Sequence, residues 1–127
     1  MSTRSMVAYK KRDGSVVGMW KHWDGHPEYM MPLLNDTLHK VSPQEIIRFG
    51  RCTSFVSEEE VEKHPDWYPQ ENLTPIAEDY YISEGKDEPL EFKNLRECFD
   101  CNISYLYVWT EGGHRWGIVD GSMLDEL

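Results

Sequence analysis

The chain has 127 residues, 39% of them hydrophobic and 13% aromatic, and a formal net charge of −10. This length suits one domain (1–127) with one ordinary core, and the aromatic content argues against a disordered chain. No segment approaches the roughly 20 apolar residues of a membrane span, and the opening residues lack the apolar run of an export signal, so a cytoplasmic protein is expected.

The first element is a hairpin, with Met6–Lys11 and Ser15–Trp23 flanking Arg12-Asp13-Gly14. The Asp-Gly pair is expected to supply the positive φ angles of its turn. In the second strand Val17, Met19 and Lys21 alternate with Val16, Gly18 and Trp20, so each face carries apolar groups. A helix is expected next, within 29–40, with Met30, Met31, Leu33, Leu34 and Leu38 on its apolar side. Pro32 fits only the first turn of such a helix and places its start near Met31.

The following helix has Ser42 as cap, Pro43 at the first position, Glu45 completing a capping box and Gly50 as its stop. Ser57-Glu58-Glu59-Glu60 repeats that design, with Val56 and Val61 as the apolar staple and acids on the positive helix end. From His64 to Pro89 the chain is rich in Pro, Glu and Asp, which reads as a long surface excursion with 79–83 as its one strand. Leu90–Phe92 reads as a short strand or helix start, and Asn94 with Glu97 as the cap of a helix over 95–100.

Ile103–Trp109 and His114–Asp120 surround Glu111-Gly112-Gly113 as a second hairpin. Tyr105, Tyr107 and Trp109 share one face by the two-residue period, a row suited to core packing unless that face is uncovered. The expected fold class is therefore α+β: an antiparallel sheet built from the N-terminal and C-terminal hairpins, with short helices packed on one face.

Charge is unevenly distributed. Between Ser57 and Asp100 fourteen acidic residues stand against four basic ones, so this stretch carries the whole net charge. Such a surface repels phosphate backbones, and direct nucleic-acid binding is not expected. It is either a solvated acidic face or a surface that meets a basic partner, as an acidic decoy for a DNA-binding protein does. Cys52, Cys98 and Cys101 are odd in number and read as reduced thiols. Cys98 and Cys101 have CxxC spacing without a second ligand pair, which leaves no basis for a zinc site.

The most informative segment is His22-Trp23-Asp24-Gly25-His26-Pro27-Glu28, where the first hairpin ends. It combines an imidazole, an indole, two carboxylates and two backbone punctuators. One reading is a strand-to-helix corner locked by hydrogen bonds, with Gly25 providing an unusual backbone geometry and Pro27 fixing φ ahead of a helix. Another is a ligand-binding pocket: Trp23 stacks on a planar ligand, Arg4 pairs with an anionic group, and His22, Asp24 and Glu28 complete the polar lining. A third is general acid/base chemistry through His22 and a carboxylate, although no nucleophile motif accompanies them and no catalytic residue is assigned. The Gly-x-Pro bend splits the alternating His22, Asp24, His26 and Glu28, so neither a metal nor a cofactor is expected.

Thr3-Arg4-Ser5 followed by His22-Trp23-Asp24-Gly25, Pro27 and Glu28 resembles a family of small proteins found widely in bacteriophages and prophages. Ser2-Thr3-Arg4-Ser5, Tyr105-Leu106-Tyr107 and Trp116 are similar to its opening and closing pieces, so the resemblance spans nearly the whole chain. Here His26 stands where that family usually has Tyr, and Tyr29-Met30-Met31 replaces a Gly-containing stretch. The resemblance implies a phage context and no mechanism. Joined to the pocket reading, it makes the leading expectation a phage-type accessory protein acting by binding, with a host protein or a nucleotide-like small molecule as partner and a host bacterial defence process as its target. A homo-oligomer is compatible with all of this.

Overall fold

The computed structural model describes residues 3–126; Met1, Leu127 and Ser2 of the family-like opening stretch lie outside the described residues. In chain order the strands are β1 (Ser5–Lys10), β2 (Val16–Lys21), β3 (Arg51–Cys52), β4 (Ser54–Ser57) and β5 (Leu73–Ala77). They continue with β6 (Tyr80–Ser83), β7 (Leu90–Phe92), β8 (Tyr105–Thr110) and β9 (Gly117–Asp120). The α-helices are short: α1 (Pro27–Pro32), α2 (Pro43–Ile46), α3 (Glu58–Lys63) and α4 (Leu95–Cys98). Among the described residues no helix is long and apolar enough to cross a membrane.

The fold is α+β, and both expected hairpins are present. In the first, Gly14 alone takes the left-handed conformation (φ +93°), while Asp13 instead accepts from the Ser15 amide and hydroxyl through its carboxylate. The turn is thus wider than the two-residue type that an Asp-Gly pair suggests. The two hairpins join along a parallel seam, with β1 paired to β8 from Ser5 opposite Tyr105 to Lys10 opposite Thr110. The six-stranded sheet runs β3-β2-β1-β8-β9, with β7 also paired to β2. Both β3 and β7 use the same edge of β2: β7 takes Val16–Gly18 and β3 takes Trp20 and Lys21.

Helices cover both faces of this sheet, where the sequence suggested one. Val7, Met19 and Tyr107 face a core with Met30, Leu33, Leu34, Leu38 and Ile46. On the opposite face Met6, Ala8, Val16, Leu106 and Val108 pack against Cys98 and Ile103, with Leu95 and Phe99 alongside. The closing aromatic row therefore packs against the core: Tyr107 is fully inside, Tyr105 and Trp109 are half-buried, and Trp109 meets the buried Trp116 edge-to-face at 5.8 Å. Pro32 ends α1 and does not begin it. Five residues of π-helix follow (Leu33–Thr37), with the Leu38 amide donating to the Leu33 carbonyl at 2.8 Å. The wider turn keeps Leu33, Leu34 and Leu38 on the core although Pro32 has no amide to continue the α pattern.

Residues 64–89 are not a surface excursion. They supply β5 and β6, which with β4 form a second, three-stranded antiparallel sheet in the order β4-β6-β5. Pro75 sits exposed on the edge strand β5, a position that tolerates a missing amide, and the register shifts just after it. The expected caps are in place: the Ser42, Ser57 and Asn94 side chains accept from the amides of Glu45, Glu60 and Glu97. The helix after Ser42 ends at Ile46, short of Gly50.

Phe55, Ile76 and Ile82 of the small sheet share the core of Val7 and Tyr107. Ile82→Ala is expected to cost about 2–4 kcal/mol and to lower one cooperative melting transition. Separate melting of two transitions in calorimetry would show that the sheets do not share a core.

Candidate functional site

The HWDGHPE segment turns the chain from β2 into α1, and its backbone is tied down at nearly every residue. The amides of His22 and Trp23 donate to the carbonyls of Cys52 (3.2 Å) and Thr53 (3.0 Å), continuing the pairing with β3 beyond the strand. Asp24, and not Gly25, adopts the left-handed conformation (φ +56°), which aspartate tolerates better than most residues. Gly25 is needed for close approach. Its amide donates to the Thr3 carbonyl at 3.0 Å, and a β-carbon there would lie 2.5 Å from that carbonyl oxygen and 2.9 Å from the Ser5 side chain.

The Gly25 carbonyl accepts from the buried Tyr107 hydroxyl at 2.5 Å, which connects the corner to the C-terminal hairpin. His26 precedes α1 in extended conformation, and its Nε2 lies 2.6 Å from the Thr3 hydroxyl. Pro27 takes the first helical position as expected. The Tyr29 hydroxyl then donates to the Phe55 carbonyl at 2.9 Å, fastening α1 to the small sheet.

Beneath the corner lies Lys21, fully buried. Its Nζ donates to the Trp23 carbonyl and rests over the rings of Tyr29 (5.4 Å) and Phe55 (5.6 Å). Burial pushes the ammonium down to about 8, with Cys52 and Asp24 opposing that shift. Burial likewise holds the Cys52 thiol up at about 12, an inert sulfur at neutral pH. Lys21 was visible in the sequence as the one charged residue in the inward row Val17, Met19, Lys21.

The five candidate ligand-binding residues have different settings. Arg4 is half-buried, and its carbonyl accepts from the Ser104 amide at 3.0 Å. Glu28 is exposed on the first turn of α1. The His22 ring meets Trp23 edge-to-face at 4.5 Å and Trp20 at 5.5 Å, and among the described residues no carboxylate bonds to it. Of the five, His22 alone lines a shallow groove of about 190 Å³, together with Trp20, Arg51, Thr53, Glu84 and Lys86. Trp23, 45% exposed, and the exposed Asp24 point the corner's chemistry outward instead.

That outward side meets the region from α3 to the loop after it. Burial, then the nearby carboxylates of Glu60 and Asp24, hold the Tyr68 phenol above its ordinary value. Tyr29 is raised first by burial, then by Tyr80, Asp24, Tyr68 and Glu60. Asp24 of the corner, Glu60 of α3 and Tyr68 of the loop therefore stand within electrostatic reach of one another. In the same loop Trp67 lies edge-on to Tyr68 at 6.5 Å, stacked on His64 at 3.9 Å and 67% exposed. This convergence was not readable from spacing, since the corner and the continuous stretch of α3 and its following loop lie far apart in the chain. Among the described residues no three His, Cys, Asp or Glu side chains form a group that could hold a metal ion.

No family model matches the chain, and neither a curated protein nor a solved structure matches it.

Two stability measurements test the corner. Gly25→Ala forces backbone apart at Thr3 and is expected to cost about 2 kcal/mol or more by chemical denaturation; a cost near zero would mean that Thr3 and Gly25 are not held together. Between about 8 and 10.5 the folded chain has released the Lys21 proton that the unfolded chain retains, so this residue makes the protein more stable as pH rises through that window and carries its full desolvation cost below it. Relative to Lys21→Met, wild type is expected to gain roughly 1 kcal/mol between pH 8 and 9, and a constant difference across that range would contradict a buried ammonium.

Proposed function

We propose that the protein acts by binding a basic segment of a protein partner through the face formed by the HWDG corner, α3 and the 64–68 loop. The carrying observation is Trp67, a large indole left 67% exposed and stacked flat on His64 beside a set of carboxylates. A solvated acidic face needs no such group. Protein interfaces, by contrast, concentrate their binding energy in tryptophan, tyrosine and arginine.

The electrostatics favour the same partner chemistry. Glu59, Glu60, Glu62, Asp66 and Asp24 are all exposed in this region, and the chain as a whole carries −10. A lysine- or arginine-bearing surface gains on-rate from that field, and its guanidinium groups can stack on Trp23 and Trp67. Phosphate-bearing ligands are disfavoured on this face for the same reason. The resemblance to small phage and prophage proteins supports a host bacterial protein as the partner, and a role in redirecting a host process follows from that context.

Binding is also favoured over catalysis by the setting of His22. Its neighbours are aromatic rings, and among the described residues no acid/base partner holds it. The partner can be captured from bacterial extract on the purified protein, identified by mass spectrometry and titrated as a purified species. Trp67→Ala and the pair Glu62→Lys with Asp66→Lys are expected to weaken that interaction about tenfold or more without changing the melting temperature, and wild-type affinity should fall as salt rises. Unchanged affinity in both variants would rule this face out.

A further inference from the structure

A second site lies where the π-helical turn meets the closing hairpin. Leu34, Asn35, Asp36, His39, Trp109, His114 and Arg115 surround a cavity of about 320 Å³, within the size range of small-molecule sites. Unlike the chain as a whole it is formally neutral, with Arg115 balancing Asp36. One guanidinium and two imidazoles face a single carboxylate, in a chain whose net charge is −10. Among the described residues Arg115 has no carboxylate partner within salt-bridge distance, although acids outnumber bases 23 to 13.

The walls are held in place before any ligand arrives. Asn35 bonds the Trp116 backbone twice, accepting from its amide at 2.8 Å and donating to its carbonyl at 3.3 Å. Trp116 is buried and packs edge-to-face on Trp109, which sets the angle of that indole at the cavity. The His39 Nδ1 lies 2.6 Å from the Asp36 carbonyl, which can only accept, so Nδ1 carries the proton and Nε2 is left for a ligand. A ring already set in place lowers the ordering cost of stacking on it.

We infer that this cavity binds a planar, phosphorylated small molecule of mononucleotide size, with the ring system on Trp109 and the phosphate on Arg115 and His114. Guanidinium groups match phosphate oxygens in pairs, and an indole offers a sequence-tolerant stacking surface. An anion approaching elsewhere meets the acidic field, so the cavity also acts by exclusion. This inference is independent of the proposed protein-binding face and involves none of its residues.

Adenosine 5′-monophosphate, adenosine and inorganic phosphate serve as probes, titrated against the full chain while the Trp109 indole N–H resonance is followed by NMR. The monophosphate is expected to shift that resonance at concentrations below about 1 mM and to bind at least about tenfold more tightly than either part alone. Arg115→Ala, at an exposed position, should weaken it about tenfold or more with the melting temperature unchanged, while Arg51→Ala in the groove beside His22 should not. The inference is overturned if the monophosphate leaves the indole resonance unmoved, if Arg115→Ala binds as wild type does, or if inorganic phosphate binds equally well.

Discussion

The parallel seam between β1 and β8 is the constraint on which the rest depends, because it makes one sheet of two hairpins separated by more than half the chain. Once the seam is closed, the inward side of β8 places the Tyr107 hydroxyl against the Gly25 carbonyl. Deep burial makes that bond costly to lose, since a stranded phenol and carbonyl would each carry a desolvation penalty. The corner at the end of β2 is thereby tied to a strand 82 residues away in sequence. Arg12 and Glu111 close the other end of the seam, where the Arg12 amide donates to the Glu111 carboxylate at 2.8 Å.

Local signals in the sequence were legible and the long-range ones were not. Ser42, Ser57 and Asn94 cap helices because each can accept from an amide three residues ahead, an arrangement contained within four residues. The hairpins were equally local, marked by alternation and by Asp-Gly and Gly-Gly turns. The small sheet was missed because β4 is four residues long and β5 has Pro75 in its middle, and both features argue against strands until pairing to β6 is known. At the corner, the residue types announced a turn and gave its unusual backbone geometry to Gly25. It is Asp24 that bends, leaving Gly25 to fit where no β-carbon can. The site around Tyr68 and Glu60 required α3 with its following loop and the distant 22–28 corner to converge, which no spacing rule encodes.

Charge is sorted as strictly as hydrophobicity. The inward row of β2 ends in Lys21, a buried cation held by the Trp23 carbonyl and two aromatic faces, while carboxylates occupy the surface above it. A buried ammonium costs stability unless it gains strong local partners. Here its partners are elements of the corner itself, so that cost is offset by fixing the turn that carries Trp23 and Asp24 outward. This is a division of labour within seven residues: His26, Gly25 and Pro27 hold the backbone, and Trp23 and Asp24 meet solvent.

Rigidity at the corner bears directly on what its exposed side chains can do. An exposed tryptophan on a mobile loop must be ordered when a partner binds, at a cost of about 1 kcal/mol for the side chain and more for its backbone. Trp23 avoids most of that cost, because its amide, its carbonyl and the amides of His22 and Gly25 are already bonded. Trp67 achieves the same by stacking on His64, with its amide bonded to the His64 carbonyl at 3.0 Å. In the proposed binding face, two preorganised indoles in an acidic field would let affinity rest on stacking and selectivity on charge. A basic partner satisfies both, whereas an apolar one would leave the carboxylates desolvated and unpaired.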